Sequence, residues 1–392
     1  MSEIAIGRDV IIFAKEESAP GSKAFPSATD AIFLTEEGSF RQVRNFIPDA
    51  QRRATYSKVE RIKARLAPGE WSFRNYIKPS GSKGTPPECG QLLKGLFSKE
   101  TINAGVDVQY TLAGITDTLP TFTILFRQGH TVFCNVGCVV NSGDIAVKAG
   151  NDDDSVVGIT LSGLFMRQIR TGTDELSQAE SQGATTLHVS NARKFMAGSV
   201  ISIGSLNNSG SGYEVTDVDY DNNTLTISPQ LEDAASQGDV VKGYLPTPTE
   251  TGEPVHGRLG YVTFDEGSSP VNTPVIAATI GINNNIRMIE DEKSDVDYPN
   301  DFIRTMEREV NLSIDCFFKK DVAARWYEVD AQLEKEIKIP AGDTAGKRLR
   351  FEFPRVQLDT PELGGAEEVV MTMPKAVLAS SSFEDEVKLV FD

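Results

Sequence analysis

The chain has 392 residues and a formal net charge of −17, from 39 Lys+Arg against 56 Asp+Glu. This length predicts two or three domains, and the acidic balance argues against a groove that binds nucleic acid through clustered basic side chains. The hydrophobic fraction of 39% is enough for ordinary folded cores, so wholesale disorder is not expected.

No segment is predicted to span a membrane or to direct secretion. A spanning helix needs about 20 apolar residues in a row, whereas apolar runs such as 275–282 are short. The first residues include Glu3, Arg8 and Asp9 and lack a long apolar stretch, which argues against a signal peptide. Four cysteines do not make a disulfide framework in a chain of this length, and buried free thiols are expected.

The first elements along the chain are predicted to be a β-hairpin and a helix. Residues 62–66 and 71–77 each alternate in polarity, and Pro68-Gly69 between them suits a type II turn. Residues 85–88, Thr-Pro-Pro-Glu, have the form of a capping box with proline at the first helical position. Apolar residues at helical spacing follow over 89–97, which predicts an amphipathic helix there.

The last third of the chain has the same β character. Residues 310–318, 349–353 and 387–391 alternate apolar with polar side chains, as half-buried antiparallel strands do. A second short helix is predicted from Asp321, with an apolar stripe that extends to Leu333. These patterns predict a mostly β protein with a few short helices.

A segment in the middle of the chain has a different composition. The polar stretch 171–183 precedes it, and the proline-punctuated stretch 246–254 follows it. The short strands predicted between these two stretches are regularly spaced, which is typical of a small β-barrel or sandwich that is inserted as a unit. The strands predicted between the two stretches are 186–189, 200–203, 213–218, 224–228 and 240–244.

The parts on either side of this insert share an order of motifs. Gly7-Arg8 followed by Phe13 parallels Gly257-Arg258 followed by Phe264, and Phe46 to Thr55 parallels Tyr298 to Thr305. Each match alone is weak, and similar strands share residue types by chance. The common order nevertheless favours two related β-sandwich or barrel domains in tandem, each with a short α-helix. The predicted domains are 1–175, the insert with its linkers at 176–250, and 251–392.

No catalytic, metal or cofactor site is predicted. The three histidines fall in different segments, and zinc-binding spacings are missing. Cys134 and Cys138 lie four apart in a predicted strand and are expected to be small core residues. Residues 342–348 are one residue too short for a phosphate loop, and 217–223 lack the glycine and glutamate of a calcium loop. The chain is therefore not expected to be an enzyme.

Several of these features together form a recognisable pattern. They are the strand 71–79 followed by Pro86-Pro87-Glu88 at a helix start, Gly137-Cys-Val-Val-Asn141 before an alternating strand, the small-residue strand 158–165, and the late order of strand, helix 321–333 and paired terminal strands. In this pattern the chain resembles the major tail tube protein of long-tailed, non-contractile (siphovirus-type) bacteriophages. The resemblance covers residues 5–175 and 256–392, and the insert looks like a decoration module on the outer surface.

The resemblance implies a structural virion protein, made in the host bacterial cytoplasm and located in the phage tail. Its copies would join strands around a ring, and the rings would stack into a tube for genome delivery. Implied partners are further copies of the chain, tape-measure and tail terminator or tip proteins, and double-stranded DNA that passes without specific binding; no membrane partner is implied. The acidic composition fits a lumen that repels DNA. The repeat favours three chains per ring with pseudo-sixfold symmetry, and six chains are the alternative.

Two other classes of function stay open from the residues alone. One is an adhesin with two sandwich domains that binds a receptor or carbohydrate, on a virion or outside a cell. The other is a β-rich hydrolase with acidic active-site residues. Negative-stain microscopy separates a tube protein from an adhesin, because stacked rings are expected for the tube protein alone.

A surface for contact between rings is predicted at residues 290–306 and at the counterpart 46–55. Both have a proline beside an aromatic or aliphatic residue, although an acidic run such as 290–301 is usually a solvated loop. We expect both segments to be mobile in a free subunit and to order on stacking, where apolar burial offsets the entropy cost. The candidate contact residues are Phe46, Ile47, Arg52, Arg53, Glu290, Asp291, Glu292, Tyr298, Phe302, Ile303 and Arg304.

Overall fold

The structure is a computed structural model of the chain. It is dominated by β-strands, with two short α-helices in its described residues, which confirms the predicted mostly β fold class. Within the same residues, every helix is too short or too polar to cross a membrane. The residues that the structure describes are 9–51, 57, 60–115, 117–150, 155–257, 262–265, 270–273, 275–289, 296–318, 325–365, 368–379 and 383–392.

The strands that precede the insert form what we call the first unit. Some of them alternate buried with more exposed side chains, as predicted for 71–77, and others are buried or exposed along most of their length. Its elements are β1 Val10–Glu16, β2 Ala31–Ile32, β3 Ser39–Arg41, β4 Arg44–Pro48, β5 Arg61–Leu66, β6 Gly69–Tyr76, α1 Gly90–Phe97, β7 Ser98–Asn103, β8 Asp107–Leu112, β9 Phe122–Gln128, β10 Thr131–Lys148, β11 Gly158–Phe165 and β12 Arg167–Thr171.

The insert is a six-stranded sheet with a hydrophobic core of its own. Its elements are β13 Thr173–Glu175, β14 Thr186–His188, β15 Val200–Ile203, β16 Tyr213–Asp219, β17 Thr224–Ser228 and β18 Val240–Gly243. The strands pair in the order β13–β18–β15–β16–β17–β14. Phe195, Tyr213 and Ile203 lie fully buried at the centre of this core. All five strands predicted for the insert are confirmed.

The strands that follow the insert form the second unit. Its elements are β19 Val262–Asp265, β20 Pro270–Thr273, β21 Ala277–Asn283, β22 Ile286–Ile289, β23 Asp301–Arg304, β24 Glu309–Phe317, α2 Arg325–Asp330, β25 Glu334–Ala341, β26 Leu349–Leu358, β27 Glu362–Gly364, β28 Val370–Val377 and β29 Lys388–Phe391. The alternating segments predicted at 310–318, 349–353 and 387–391 fall on β24, β26 and β29.

Six strands of each unit are paired in the same order. The order is β1–β9–β10–β11–β6–β3 in the first unit and β19–β25–β26–β28–β24–β21 in the second, and every pair is antiparallel. Corresponding strands also follow one another in the same order along the chain, with the helix after the third of them. This shared order supports the predicted duplication, and the domain limits drawn from the sequence stay predictions.

The two units share one sheet. The second half of β10 pairs with β21 over seven residues, from Ser142 opposite Asn283 to Lys148 opposite Ala277. This ladder joins four strands of each unit into an eight-stranded antiparallel sheet, β3–β6–β11–β10–β21–β24–β28–β27. Among the described residues, no ladder pairs the first strand of this sheet, β3, with its last strand, β27.

A single hydrophobic core lies behind this sheet. Trp71 and Phe73 of the first unit belong to the same buried cluster as Ile280 and Phe351 of the second. The last strand, β29, strengthens the connection because it pairs with both β26 and β8. The two units therefore bury their apolar faces together, whereas the insert buries its own.

The hairpin predicted over residues 62–77 is wrong. β5 pairs with β4, and β6 pairs with β3 and β11. The physical reason is burial: β6 directs Trp71 and Phe73 into the core, whereas β5 carries Arg61, Lys63 and Arg65 and is largely exposed. The exposed strand β5 and the half-buried strand β6 flank the same turn sequence, but they belong to different sheets.

The predicted helix starts also need correction. α1 begins at Gly90 instead of Pro86, because a residue before proline is disfavoured in the helical region and Pro87 follows Pro86. Glu88 does not complete a capping box; its carboxylate accepts from Lys78 Nζ and from the Phe33 N–H. The second predicted helix is present as α2, which ends at Asp330, and its predicted first turn lies outside the described residues.

We expect the shared sheet to make the two units unfold together and apart from the insert. Ile280 is fully buried at the β10–β21 ladder, so Ile280→Ala should lower the free energy of unfolding by about 2–5 kcal/mol. Hydrogen exchange followed by mass spectrometry should show lost protection in both units and an unchanged insert. The matched control Ile203→Ala, at a fully buried site of the insert, should show the reverse. Protection lost from the second unit alone would contradict the shared core.

Candidate assembly surfaces

The face of the eight-stranded sheet that points away from the core carries mostly short polar and charged side chains. Ser142 and Ser162 hydrogen bond across β10 and β11 at 2.7 Å, and Thr372 Oγ1 donates to Asp315 Oδ1 across β28 and β24 at 2.7 Å. We call this surface the free face. Its charged side chains are acidic Glu70, Asp144, Glu309, Asp315 and Glu362, and basic Arg41, Arg74 and Lys148.

A two-stranded arm leaves each unit at the same place in the fold. The first arm, β4 and β5, lies between β3 and β6, and the second arm, β22 and β23, lies between the corresponding strands β21 and β24. The segments predicted as counterparts, 46–55 and 290–306, overlap these arms in their described residues, at 46–48 of β4 and 301–304 of β23. Equivalent origins are what a duplicated unit would produce.

The first arm exposes apolar side chains. Phe46, Ile47 and Ile62 are 47%, 55% and 59% exposed, and Ile47 lies directly opposite Ile62. The Arg61 guanidinium lies 4.7 Å from the centre of the Phe46 ring, a cation–π contact. A two-stranded ribbon has little stability without packing on another surface. Exposed apolar residues on such a ribbon are typical of a protein interface.

The second arm folds back onto its own chain. Ile286 and Met288 are buried in a satellite cluster, and Tyr298 and Phe302 pack against that cluster. The Arg304 guanidinium donates to Ser98 Oγ at 2.8 Å. Burial, together with the charge of nearby Arg308, lowers the pKa of Arg304 to about 10.

Asp297 connects the two arms. The Leu66 N–H donates to the Asp297 carbonyl at 2.8 Å, and Arg44 Nη2 lies 2.7 Å from Asp297 Oδ2. Lys63 Nζ lies 3.7 Å from the same oxygen. The hydrogen bond from Arg44 holds the pKa of the Asp297 carboxyl below its ordinary value. The acidic run therefore contacts the first arm of the same chain through Asp297.

The structure separates the predicted contact residues into three groups. Phe46, Ile47 and Ile303 are exposed on the arms. Tyr298, Phe302 and Arg304 contact their own chain, as described above. Sequence reasoning did not single out Asp297 or Arg44, although Asp297 lies in the acidic run. The predicted residues that lie outside the described part of the chain are Arg52, Arg53, Glu290, Asp291 and Glu292.

The linker that follows the insert is fixed to the first unit. Lys78 Nζ lies 2.7 Å from Glu250 Oε1 and 3.3 Å from Glu88 Oε2, and the Thr249 N–H donates to the Ala28 carbonyl. Burial raises the pKa of the Glu88 carboxyl, and the charge of Lys78 acts in the opposite direction. Gly252 passes so close to the chain that an added Cβ would lie 2.3 Å from the Pro79 carbonyl oxygen. Sequence reasoning predicted a stiff linker but not this attachment.

The remaining chemistry of the described residues is that of a packed core. Among them, no three His, Cys, Asp or Glu side chains are grouped to hold a metal ion. All four cysteines are buried thiols, as expected. Burial raises the pKa of Cys89 and of Cys134 to about 12, so these thiols stay protonated at neutral pH.

The chain matches a family model described as phage tail tube protein over residues 7–384. Because the match covers nearly the whole chain, the chain belongs to this family. It is therefore a structural protein of the bacteriophage tail, and the resemblance drawn from the sequence is confirmed at this level. A search of curated proteins found no match.

We expect the contact between the arms to depend on pH through Asp297. A carboxyl whose pKa is lowered by folding stabilises the folded contact above its ordinary pKa, and this stabilisation is lost as the pH falls through the lowered value. Asp297→Asn keeps the shape but removes the charge, so it should speed amide exchange of Leu66 at neutral pH and abolish the acid dependence.

The matched control is Asp301→Asn, an exposed aspartate on the same arm whose Oδ1 accepts from the next residue's N–H. This control should exchange like the parent protein. Amide exchange of Leu66 measured by NMR in both variants distinguishes them, and equal protection would contradict a role for the Asp297 charge.

Proposed function

We propose that the chain assembles into rings of three copies, and that these rings stack into the tail tube through which the genome passes. The free face of the eight-stranded sheet lines the channel. The observation that carries this proposal is the repeated strand order, because each chain supplies two equivalent units that are already joined edge to edge. Three chains then supply six equivalent units and a pseudo-sixfold ring.

Strand number supports an open channel. Three copies of the eight-stranded sheet make a barrel of about 24 strands, well beyond the eight strands whose side chains fill a barrel interior. Closure also protects the sheet, because a ring leaves no exposed strand edges to pair with unrelated chains.

The charges of the free face support passage of DNA without binding. This surface carries five carboxylates and three basic side chains, and serine, threonine and asparagine occupy many of the other positions. A surface of net negative charge repels phosphates. DNA that is repelled from the wall slides along the axis.

The arms are the proposed contacts between rings. Phe46, Ile47 and Ile303 supply exposed apolar surface there, and burial of such surface contributes about 25 cal/mol per Å2. Ordering the arm costs a comparable amount of chain entropy. The free energy of stacking is then close to zero for one arm, and it becomes favourable when the contact is repeated around a ring. Free subunits therefore stay soluble until an existing ring templates their assembly.

The insert lies on the outside in this arrangement. It follows β12, which pairs with the first half of β10, away from the part of β10 that joins the eight-stranded sheet. Phe25 of the first unit stacks on Tyr244 at 5.8 Å, and Lys23 donates to the Gly198 carbonyl at 2.8 Å. These contacts hold the insert against the body as an outer decoration. The tape-measure and the terminator or tip proteins would meet the inner wall and the ends of the tube, respectively.

The experiment that tests the three-chain ring is the mass and symmetry of a single ring. Native mass spectrometry of short assemblies should give multiples of three chains, and averaged end-on views in electron microscopy should show threefold symmetry with six similar lobes. Rings of six chains would overturn the three-chain ring, and protein that never forms rings would overturn the tube assembly itself.

We expect the insert to be dispensable for tube formation. Thr173 and Lys242 are direct partners on β13 and β18, so residues 174–241 can be replaced by a short Gly/Ser turn without pulling the ends apart. This design keeps the fixed linker 246–254, and the variant should form tubes of smaller outer diameter in electron micrographs. The control is a deletion that also removes 246–254 and so breaks the Lys78–Glu250 contact, which should lower stability. A folded 174–241 deletion without tubes would contradict the outer position.

A further inference from the structure

Two strands of the eight-stranded sheet have an unpaired edge in the described part of the chain. β3 pairs with β6 alone, and β27 pairs with β28 alone. They are the first and last strands of that sheet. Unpaired edges offer a row of backbone N–H and C=O groups to another strand. The sheet is therefore unfinished at both ends.

The chain contains a template for completing it. Each unit contributes four strands to the eight-stranded sheet. Within the chain, β10 is the last of the first unit's four strands, and it pairs with β21, which is the first of the second unit's four strands. In the second unit, the position of the long strand β10 is held by β26 followed by β27, because both pair with β28 as β10 pairs with β11. β3 holds the position of β21 in the first unit. The equivalent of the β10–β21 ladder is therefore a pairing of β27 with β3, and within one chain these two strands lie at opposite ends of the sheet.

One extra residue sets the register of this equivalence, because it lies between Val140 and Ser142 in the first unit and between Leu358 and Glu362 in the second. In one row, Val140, Gly163, Trp71 and Phe40 of the first unit correspond to Leu358, Lys375, Leu312 and Ile280 of the second.

In another row, Ile145, Ile159 and Asn75 correspond to Leu363, Met371 and Cys316. The two rows agree, because Ile145 follows Val140 by as many residues as Leu363 follows Leu358. Phe40 is thus the counterpart of Ile280, and Leu363 is the counterpart of Ile145.

Ile145 lies directly opposite Ile280 in the ladder within the chain. We propose that β27 of one copy pairs antiparallel with β3 of a second copy, with Leu363 opposite Phe40, Glu362 opposite Arg41 and Gly364 opposite Ser39. The occupant of this edge is another copy of the same chain. This inference rests on the proposed ring and assigns the residues that close it.

Burial supports the pairing. Ile145, covered by β21, is 0% exposed, whereas its counterpart Leu363 is 53% exposed. A cavity of about 430 Å³ lies beside Phe40, lined also by Phe126, Phe133 and Gln128. An apolar side chain that protrudes from one free edge and an aromatic cavity beside the other are complementary surfaces.

Charge supports the same register. Arg41 lies opposite Glu70 of β6 within its own chain. In the proposed pairing Glu362 of the second copy lies on the other side of Arg41, so one arginine stands between two carboxylates. A slip of one residue would move Leu363 from the core face to the free face, so the register is strongly specified.

A charge exchange tests the pairing. Arg41→Glu and Glu362→Arg should each lower the yield of tubes by about tenfold or more, because like charges then face each other across the edge. The double variant restores opposite charges and should recover tubes. The control Arg193→Glu, at an exposed arginine of the insert, should leave tubes unchanged. Because Arg41→Glu also faces Glu70 of its own chain, the double variant is first checked for parent-like folding by circular dichroism. If the control forms tubes and the folded double variant does not, the pairing is wrong and the proposed tube stands.

A mixture of the two single variants then tests the ring. In the mixture, opposite charges face each other only where one variant contacts the other. The two variants must therefore alternate around a ring that has no like-charge contact, and such a ring needs an even number of chains. Three-chain rings cannot meet this condition, and the mixture should stay without tubes. Tubes from the mixture would support the strand pair and overturn the three-chain count.

A cysteine pair tests the register independently of charge. Ser39→Cys with Gly364→Cys places two thiols opposite each other between copies, within the reach of a disulfide. Mild oxidation should give covalent closed trimers on a non-reducing gel. The control Ser39→Cys with Glu362→Cys is offset by two residues and should cross-link at least several-fold less. Equal cross-linking, or none in either variant, would overturn the register.

Discussion

The ladder between β10 and β21 is the interaction on which the rest of the structure depends. It turns two units of related topology into one sheet with one core, so that neither unit has to cover its own edge at this seam. The second arm leaves β21, a strand of this ladder, and reaches the first arm through the contact of Asp297 with Arg44. The same ladder leaves β3 and β27 as the two ends of an open sheet.

Local patterns in the sequence predicted elements well where burial follows a simple period. The five strands of the insert and the alternating strand β24 were found because their turns and their two-residue period agree. The prediction of a hairpin over 62–77 was wrong because a turn sequence does not determine which strands pair with each other. The start of α1 failed because Pro87 prevents the first turn that Pro86 would otherwise open.

The assembly surfaces were predictable only in part. Phe46 and Ile47 stood out as apolar residues in a polar segment, and they are exposed on the first arm. Asp297 was not distinguishable from the other acidic residues of its run, because its partner Arg44 lies far away in the chain. The free edges of β3 and β27 carry no local signal at all. They became visible when the pairings of the two units were compared, since an edge is a property of the sheet and not of a segment.

The fusion of two units into one chain has a consequence for nucleation. In a ring of three such chains, every second seam is already closed when the chain folds, so it forms without any loss of translational freedom. Such a ring would need three molecules to meet instead of six, and its formation would depend less steeply on concentration. The two units of the chain are also unequal, because the insert follows the first unit alone. A partner that binds the outside of such a tube would therefore find three copies of the insert on each ring, although six similar units would line the channel.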